Sequence, residues 1–374
     1  MTASAAPVLP RWSLAVPPAA IVVLIVSWGR SPGAVLLPLV CLALGGAVIA
    51  AVHHAEVVAH RVGEPFGTLI LAIAVTVIEV ALIVTLMASG GDQAATLARD
   101  TVFAAVMITC NGVVGLALLV GALRHRVQDF SIEGSGGALA VLAALVTLCL
   151  VLPTVTISAP GGTLTPGQLA FAGVASLALY GVFVFVQTVR HRDYFLPVQS
   201  LPVQSLPVKG PEETDDEHAP LPSTRTTFLS LGLLLVCLIA VVGLAKTVSP
   251  TLESAVESAG APLSVVGVAI ALLVLLPETV AAVRAAARDR LQTSLNLALG
   301  SALASIGLTI PSLAVASIWL TGPLVLGLGP TEIVFLVLTL VVGMLTLITR
   351  RATVLQGAVH LVVFCAFLFT AFTP

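Results

Sequence analysis

Charged side chains are scarce in this sequence. Only 9% of its 374 residues are Asp, Glu, Lys or Arg, whereas 58% are hydrophobic. A soluble globular domain carries about 25% charged residues, and no soluble fold of this length has enough interior to hide so much apolar side chain. The composition therefore excludes a water-soluble protein and predicts an integral membrane protein, with the lipid bilayer as its main partner.

An excess of charge and a cysteine framework are also missing. The formal net charge is -2, which gives no reason to expect a nucleic-acid partner. The five cysteines all lie within apolar runs, and none forms a C-x-x-C pair. We interpret them as reduced packing residues, and we predict neither a disulfide or zinc framework nor a bound cofactor.

Long apolar runs dominate what is present. A transmembrane helix needs about 20 mostly apolar residues. Eleven runs approach or exceed that length, near 12–28, 33–52, 66–89, 99–123, 138–157, 168–188, 227–247, 263–283, 294–319, 331–349 and 352–372. The predicted fold is therefore all-α, with about eleven transmembrane helices.

The positive charges support this count of spans. With eleven spans, thirteen of the 16 Lys and Arg residues fall on one side of the membrane, and the other side holds Arg30, Arg99 and Lys246. Basic loops are retained on the cytoplasmic side. We therefore expect a multi-pass protein of the inner (plasma) membrane, with the N-terminus in the cytoplasm and the C-terminus outside.

A polar segment divides the chain into two comparable parts. It contains the repeated letters LPVQS-LPVQS-LPVK followed by the acidic run EETDDE, a composition that cannot bury a core. We predict an extra N-terminal helix in 1–30, a first five-helix repeat in 31–189, a cytoplasmic linker in 190–226 and a second five-helix repeat in 227–374. Because five is odd, the two repeats run through the membrane in opposite directions, as in many secondary transporters. The acidic run is interpreted as a solvated linker, with a cation sensor as the alternative.

Two glutamates occupy equivalent places in the two repeats. Glu79 lies in LAIAVTVIEVALIVTLMA and Glu278 in ALLVLLPETVAAV, each in the second helix of its repeat. An ionised side chain at the centre of a membrane helix costs roughly 2.5–3.5 kcal/mol, so such residues are functional candidates by default. Pro277 has no backbone N–H, which leaves the carbonyl of Leu273 without its helical partner. An interfacial position is the alternative for Glu278, since Arg284 follows closely.

Neutral oxygens in the following helices are candidates for further metal ligands. Asn111 lies in ITCNGVVG, and Ser301 and Ser305 lie in LALGSALASIGLTIP. Hard cations such as calcium take six to eight oxygen ligands. We therefore predict a cation site built on Glu79, Glu278, Asn111, Ser301 and Ser305, with the two glutamates also binding the exchanged protons. For the three neutral residues the alternative is helix packing.

At these residues the chain resembles the calcium/cation exchanger superfamily and, within it, the bacterial calcium (or sodium and potassium)/proton antiporters of the ChaA type. The resembling stretches are GEPFGTLILAIAVTVIEVALIVTLMASG at 63–90 and LPETVAAVRAAARDRLQTSLNLALGSALASIGLTIP at 276–311. The resemblance implies export of calcium, or of sodium or potassium, in exchange for protons. It also implies that Glu79 and Glu278 are the paired acidic residues of the two repeats.

The charge of the glutamate pair suggests a mechanism. One divalent cation or two protons neutralise two nearby carboxylates equally well, while the empty ionised pair is unfavourable in a low-dielectric setting. The alternatives are an intramembrane hydrolase and a cation channel. The hydrolase needs a Ser/His, Asp/Asp or His-Glu-His constellation at membrane depth, and the channel needs no paired carboxylates and no proton gradient.

Overall fold

The computed structural model describes residues 9–30, 32–33, 36–63, 66–90, 95–196, 222–258, 260, 262, 264–319 and 322–373. Within these ranges the chain is almost entirely helical, as its composition predicts. Most of the predicted linker, including the pentapeptide repeats and the acidic run, lies outside the described residues.

Six helices precede the linker, and the second half contains six more. The first six are α1 (Arg11–Ser27), α2 (Leu36–Val62), α3 (Phe66–Gly90), α4 (Leu97–His125), α5 (Ile132–Val155) and α6 (Pro166–Arg190). A single 3-10 turn, Arg192–Phe195, follows α6. The second half contains α7 (Thr224–Ser258), α8 (Ser264–Val274), α9 (Leu276–Ala287), α10 (Leu291–Ala316), α11 (Pro330–Ile348) and α12 (Val354–Phe372).

Most of these helices are long and apolar enough to cross a membrane. Nine reach that length among the described residues, and α8 and α9 form a tenth candidate, bent by 53°. The remaining helix, α1, is apolar but has only 17 residues. Each of the eleven predicted runs overlaps one of these helices or the bent pair, while the number that cross the bilayer stays a prediction.

The bend between α8 and α9 has a cause in the sequence. Pro277 stands at the second position of α9, where a helix tolerates proline because the first N–H groups have no intrahelical partner. The backbone hydrogen bonds continue on both sides, from Leu275 N to Ala271 O and from Thr279 N to Leu275 O, each 2.9 Å. The helix therefore restarts at the proline, and Glu278 lies in the first turn after the bend.

The buried side chains form two large apolar clusters. One joins α1, α2 and α7 with most of the buried side chains of α3, and the other joins α4, α5, α6 and α9 to α12, while the buried side chains of α8 are divided between the two. In the first cluster α2 packs along α7, and α1 contacts both of them. Where the clusters meet, α3 packs against α10, and this contact becomes important for the site.

The two halves exchange equivalent contacts. The second helix of each repeat packs against the third helix of the other, α3 against α10 and α8 against α4. A Cβ added to Gly115 of α4 would meet His360 of α12, and one added to Gly307 of α10 would meet Tyr180 of α6. The third helix of each repeat thus lies against the last helix of the other, as expected for two repeats of inverted topology.

Contacts between loops fall into two groups. Two groups are expected because consecutive loops lie on opposite sides when each helix crosses the membrane. In one group, the two-residue strands β1 (Gln128–Asp129) and β2 (Arg351–Ala352) pair antiparallel, and His125 bonds the carbonyl of Ala287 at 3.1 Å. In the other group, Leu326 and Gly327 donate backbone hydrogen bonds to the carbonyl of Gly162. The first group joins the arginine-rich loops, which are therefore on the same side of the helix bundle.

Candidate ion-exchange site

A cavity of ≈ 210 Å³ lies where the two apolar clusters meet. Its walls come from α3, α6, the bend between α8 and α9, and the first half of α10. Most of the lining is apolar. The polar lining residues are Thr76, Glu79, Tyr180, Gln187, Glu278, Thr293, Asn296, Ser301 and Ser305. Both predicted glutamates and both predicted serines therefore face one space.

Glu79 is held on the wall formed by α3. Its side chain is only 4% exposed, and the hydroxyl of Ser305 donates a hydrogen bond to its Oε1 at 2.8 Å. Ser305 is itself buried. Hydrogen bonds to charged groups contribute about 1.5–3 kcal/mol, so this contact favours the ionised carboxylate against the cost of its burial.

Glu278 occupies the opposite wall in a different setting. It lies in the first turn of α9, where the helix dipole favours negative charge. Its Oε2 is buried and has no hydrogen-bond partner among the described residues. Glu79 lines the same cavity. Glu278 therefore has a free ligand atom in a space that it shares with a second carboxylate.

Ser301 and Ser305 reach the same cavity because they are four residues apart on α10, and residues four apart lie on one helix face. Asn111, the remaining predicted ligand, lies elsewhere. It is fully buried in a π-helical turn of α4, Ile108–Val113, and it is not among the residues that line the cavity.

A separate polar network holds the Asn111 amide. Its Nδ2 donates to the hydroxyl of Thr339 at 2.8 Å, and its Oδ1 lies 3.1 Å from Nδ1 of His360. Since an amide oxygen only accepts, Nδ1 of His360 carries the proton. Nε2 of His360 then accepts from Thr346 at 3.0 Å in the neutral ring. His360 is 1% exposed, and these hydrogen bonds make it a buried link between α4, α11 and α12.

Sequence reasoning missed several polar residues of the cavity. Thr76, Tyr180, Gln187, Thr293 and Asn296 were not predicted as site residues, yet all of them line it. Gln187 and Asn296 lie near the ends of apolar runs, where a polar side chain does not stand out from an ordinary interfacial residue. Thr76 is visible as a residue one turn before Glu79, and this spacing could have identified it.

The described residues contain no group of three or more His, Cys, Asp or Glu side chains placed to hold a metal ion. Two carboxylates together with neutral oxygens form a set of ligands that suits the reversible binding of a hard cation. Two comparable helical halves that each contribute one carboxylate to a shared cavity are typical of the class of secondary transporters.

Comparison with known proteins agrees with this class. The family model described as sodium/calcium exchanger protein matches residues 32–189 and 229–373. The chain belongs to this family. Its members are transporters, not enzymes, which removes the intramembrane hydrolase from consideration.

Individual relatives cover nearly the whole chain. A protein of Sinorhizobium fredii described as an ionic transporter, y4hA, is 50% identical over 336 residues, covering 88% of this chain and 87% of its own. The sodium-potassium/proton antiporter ChaA of Escherichia coli is 36% identical over 364 residues, 96% of each chain. The structure of native YfkE matches with a TM-score of 0.70 at 18% identity, covering 97% of this chain and 99% of that one, so it shares the fold.

Proposed function

We propose that the protein is a cation/proton antiporter whose exchange site is the cavity between Glu79 and Glu278. The observation that carries the proposal is the convergence of one carboxylate from each inverted half on a single cavity inside apolar helices. The names of its relatives support the reaction, since ChaA is a sodium-potassium/proton antiporter. Exchange also distinguishes the protein from a channel, whose flux needs no proton gradient.

Charge neutralisation couples the two ions. Two ionised carboxylates in a low-dielectric cavity are unfavourable, because each loses hydration and repels the other. One divalent cation or two protons cancel the same charge. The loaded site can then change its accessibility, whereas the empty charged site cannot do so readily. If the site can face either side of the membrane when it holds the cation or the protons, but not when it is empty, the protein exchanges one ion for the other.

The ligands suit a hard cation. Glu79 and Glu278 offer four carboxylate oxygens, and Ser301, Ser305 and Thr76 line the same cavity with hydroxyls. Calcium takes six to eight oxygens, including water, and its charge matches that of the pair. We therefore propose calcium as the exported ion. The relationship to ChaA favours a second candidate, in which sodium or potassium takes its place.

The predicted fifth ligand, Asn111, is left out of this proposed set. Both polar atoms of its amide are bonded within the network of Thr339 and His360. Its role as a cation ligand stays a prediction that this conformation does not support.

The proposed sidedness follows from the arginine-rich loops. They contact one another on one side of the bundle, and retention of basic loops assigns that side to the cytoplasm. We therefore propose a protein of the plasma membrane with its N-terminus in the cytoplasm. An outward-high proton gradient then drives cation export.

The test is cation-dependent proton movement in everted membrane vesicles. Vesicles with the protein and vesicles without it are energised, and calcium, sodium and potassium are added separately while a fluorescent dye reports the internal pH. The proposal expects collapse of the proton gradient with at least one cation, and only in vesicles that contain the protein. Cation flux that continues without any proton movement would show a channel and overturn the proposal.

A further inference from the structure

The cavity has a polar end near the arginine-rich side of the bundle. Thr293 and Asn296 lie close to the start of α10, and Gln187 lies close to the end of α6. Both helix ends belong to the side on which the basic loops contact one another. These two helix ends lie between the arginine-rich side and the glutamate pair, and we call the space between them the mouth of the cavity.

The 3-10 turn Arg192–Phe195 is fastened to both sides of the mouth. The amide of Asn296 donates a hydrogen bond to the carbonyl of Phe195 at 2.6 Å. The ring of Phe195 packs edge-to-face on Phe183, with centroids 6.0 Å apart and an interplanar angle of 82°. Both Asn296 and Phe183 line the cavity. One short turn thus joins the α6 wall to the α10 wall.

The buried amide of Gln292 holds the side chain of Asn296 in position. Nε2 of Gln292 donates to Oδ1 of Asn296 at 2.9 Å, and Oε1 of Gln292 accepts from the backbone N of Ser131 at 2.7 Å. Gln292 is 1% exposed. The orientation of Asn296 is therefore fixed, because its oxygen is bonded on one side and its nitrogen on the other.

Gly134 on α5 allows the turn Arg192–Phe195 to pack closely against that helix. A Cβ added to Gly134 would lie 2.5 Å from the carbonyl oxygen of Tyr194 and 3.1 Å from Cδ1 of Phe195. The nearest obstacle is backbone, so a larger residue must displace the turn. Gly137, one turn further along α5, has open space where a Cβ would be added.

We propose that Arg192–Phe195 is a latch that restrains the mouth of the cavity, with Asn296 as its positioning residue. While the latch is fastened, the end of α6 is held to the start of α10, and access from the arginine-rich side is limited. Release of the latch separates the two walls and opens that route. The proposal adds a control of access to the exchange site of the proposed function.

The test is the labelling rate of a cysteine inside the cavity. Gly300 lines the cavity, and a Cβ added there meets nothing within 4 Å, so Gly300→Cys places a thiol in open space. A membrane-impermeant, positively charged methanethiosulfonate is applied to inside-out and to right-side-out vesicles. The same chain without Gly300→Cys gives the background from its native cysteines.

Gly134→Ala is then added to Gly300→Cys, with Gly137→Ala as the matched control. Labelling from the arginine-rich side should accelerate about two- to tenfold with Gly134→Ala, the range set by the loss of one hydrogen bond. It should be unchanged with Gly137→Ala. Phe195→Ala, which removes the aromatic contact without adding bulk, should accelerate labelling as well and covers the case in which Gly134→Ala fails to fold.

Equal labelling rates in the Gly134→Ala, Gly137→Ala and Phe195→Ala chains would overturn the latch, as would acceleration only from the opposite side. This readout needs no transport. If the protein showed no cation/proton exchange but Gly134→Ala accelerated labelling, the proposed function would be contradicted and the latch supported. If the protein exchanged cations for protons but Gly134→Ala and Phe195→Ala did not change the labelling rate, the latch would be contradicted and the proposed function supported.

Discussion

The two glutamates that face the cavity are equivalent in sequence position and different in surroundings. Glu79 lies within the continuous helix α3 and receives a hydrogen bond from Ser305 of the other half. Glu278 lies just after a 53° bend, next to a proline, and its Oε2 has no hydrogen-bond partner among the described residues. The pair is symmetric in topology and asymmetric in chemistry.

This difference predicts distinct roles for the two carboxylates of the proposed site. A carboxylate that already accepts a hydrogen bond is held in one orientation, while one with a free buried oxygen retains the cost of its desolvation. In the proposed site we therefore expect Glu79 to be the more fixed carboxylate and Glu278 to be the one that gains most when a cation or a proton binds.

The largest effect is expected when either carboxylate loses its charge. Glu79→Gln and Glu278→Gln keep the side-chain volume but cannot ionise, so each should reduce cation/proton exchange in vesicles to background. Glu133→Gln is the control, since Glu133 is exposed at the surface and pairs with Arg350 at 3.4 Å. Exchange above half the wild-type rate in either cavity variant would remove that glutamate from the site.

The bend should matter almost as much. Pro277→Ala restores an N–H that can bond the carbonyl of Leu273, which favours a continuous α8–α9 helix. We expect an exchange rate lower by about tenfold with equal or higher thermal stability, since the new N–H adds a backbone hydrogen bond where the helix now bends. Pro250→Ala in α7 is the control, because Pro250 lies inside a helix that contributes no residue to the cavity. Equal rates for both variants would contradict a role for the bend.

A smaller effect is expected from the hydrogen bond that distinguishes Glu79. Ser305→Ala should raise the apparent KM for the cation about tenfold, the order given by losing a hydrogen bond to a charged group. Ser301→Ala should raise it less, because among the described residues Ser301 donates no hydrogen bond to either glutamate, although it lines the same cavity. Ser312→Ala, which removes only a hydrogen bond to the carbonyl of Leu308 in the same helix, should leave KM unchanged. Initial-rate uptake at several cation concentrations measures all three, and equal KM values for Ser305→Ala and Ser312→Ala would contradict the asymmetry.

The smallest effect is expected in the linker, whose composition predicts solvated chain rather than part of the site. Replacing residues 196–218 with a flexible spacer should leave exchange detectable, because its composition indicates solvated chain. The rate of cation/proton exchange in vesicles should stay within about twofold of the wild-type rate, because a change in the length of a flexible connection costs little free energy. Complete loss of exchange in a correctly inserted chain would show that the linker acts on the site.

Much of the site could be predicted because a charge is conspicuous in an apolar helix. Glu79 and Glu278 stand out for this reason, and both line the cavity with Ser301 and Ser305. Membership of the exchanger family was also predicted from the stretches around these residues, and it is confirmed. Apolar length likewise located the helices, since helix length in a bilayer is set by its thickness.

The rest depends on packing that one sequence does not reveal. Asn111 was expected beside the glutamates, but a π-helical turn changes the face on which it lies, and its amide bonds Thr339 and His360 instead. A single inserted residue in the helical hydrogen-bond pattern is not visible in hydrophobic periodicity. The contact between Asn296 and Phe195 joins residues 101 positions apart, so no local pattern could predict it.

The most direct test of a shared site is proton release when the cation binds. Calcium, sodium or potassium is added to the purified protein in weakly buffered detergent solution, and a pH indicator records the protons that leave. If Glu79 and Glu278 bind both ions, the wild-type protein should release protons as the cation saturates the site, and Glu79→Gln and Glu278→Gln should release fewer or none. Saturable cation binding without proton release from the wild-type protein, over the pH range in which exchange occurs, would contradict the single shared site.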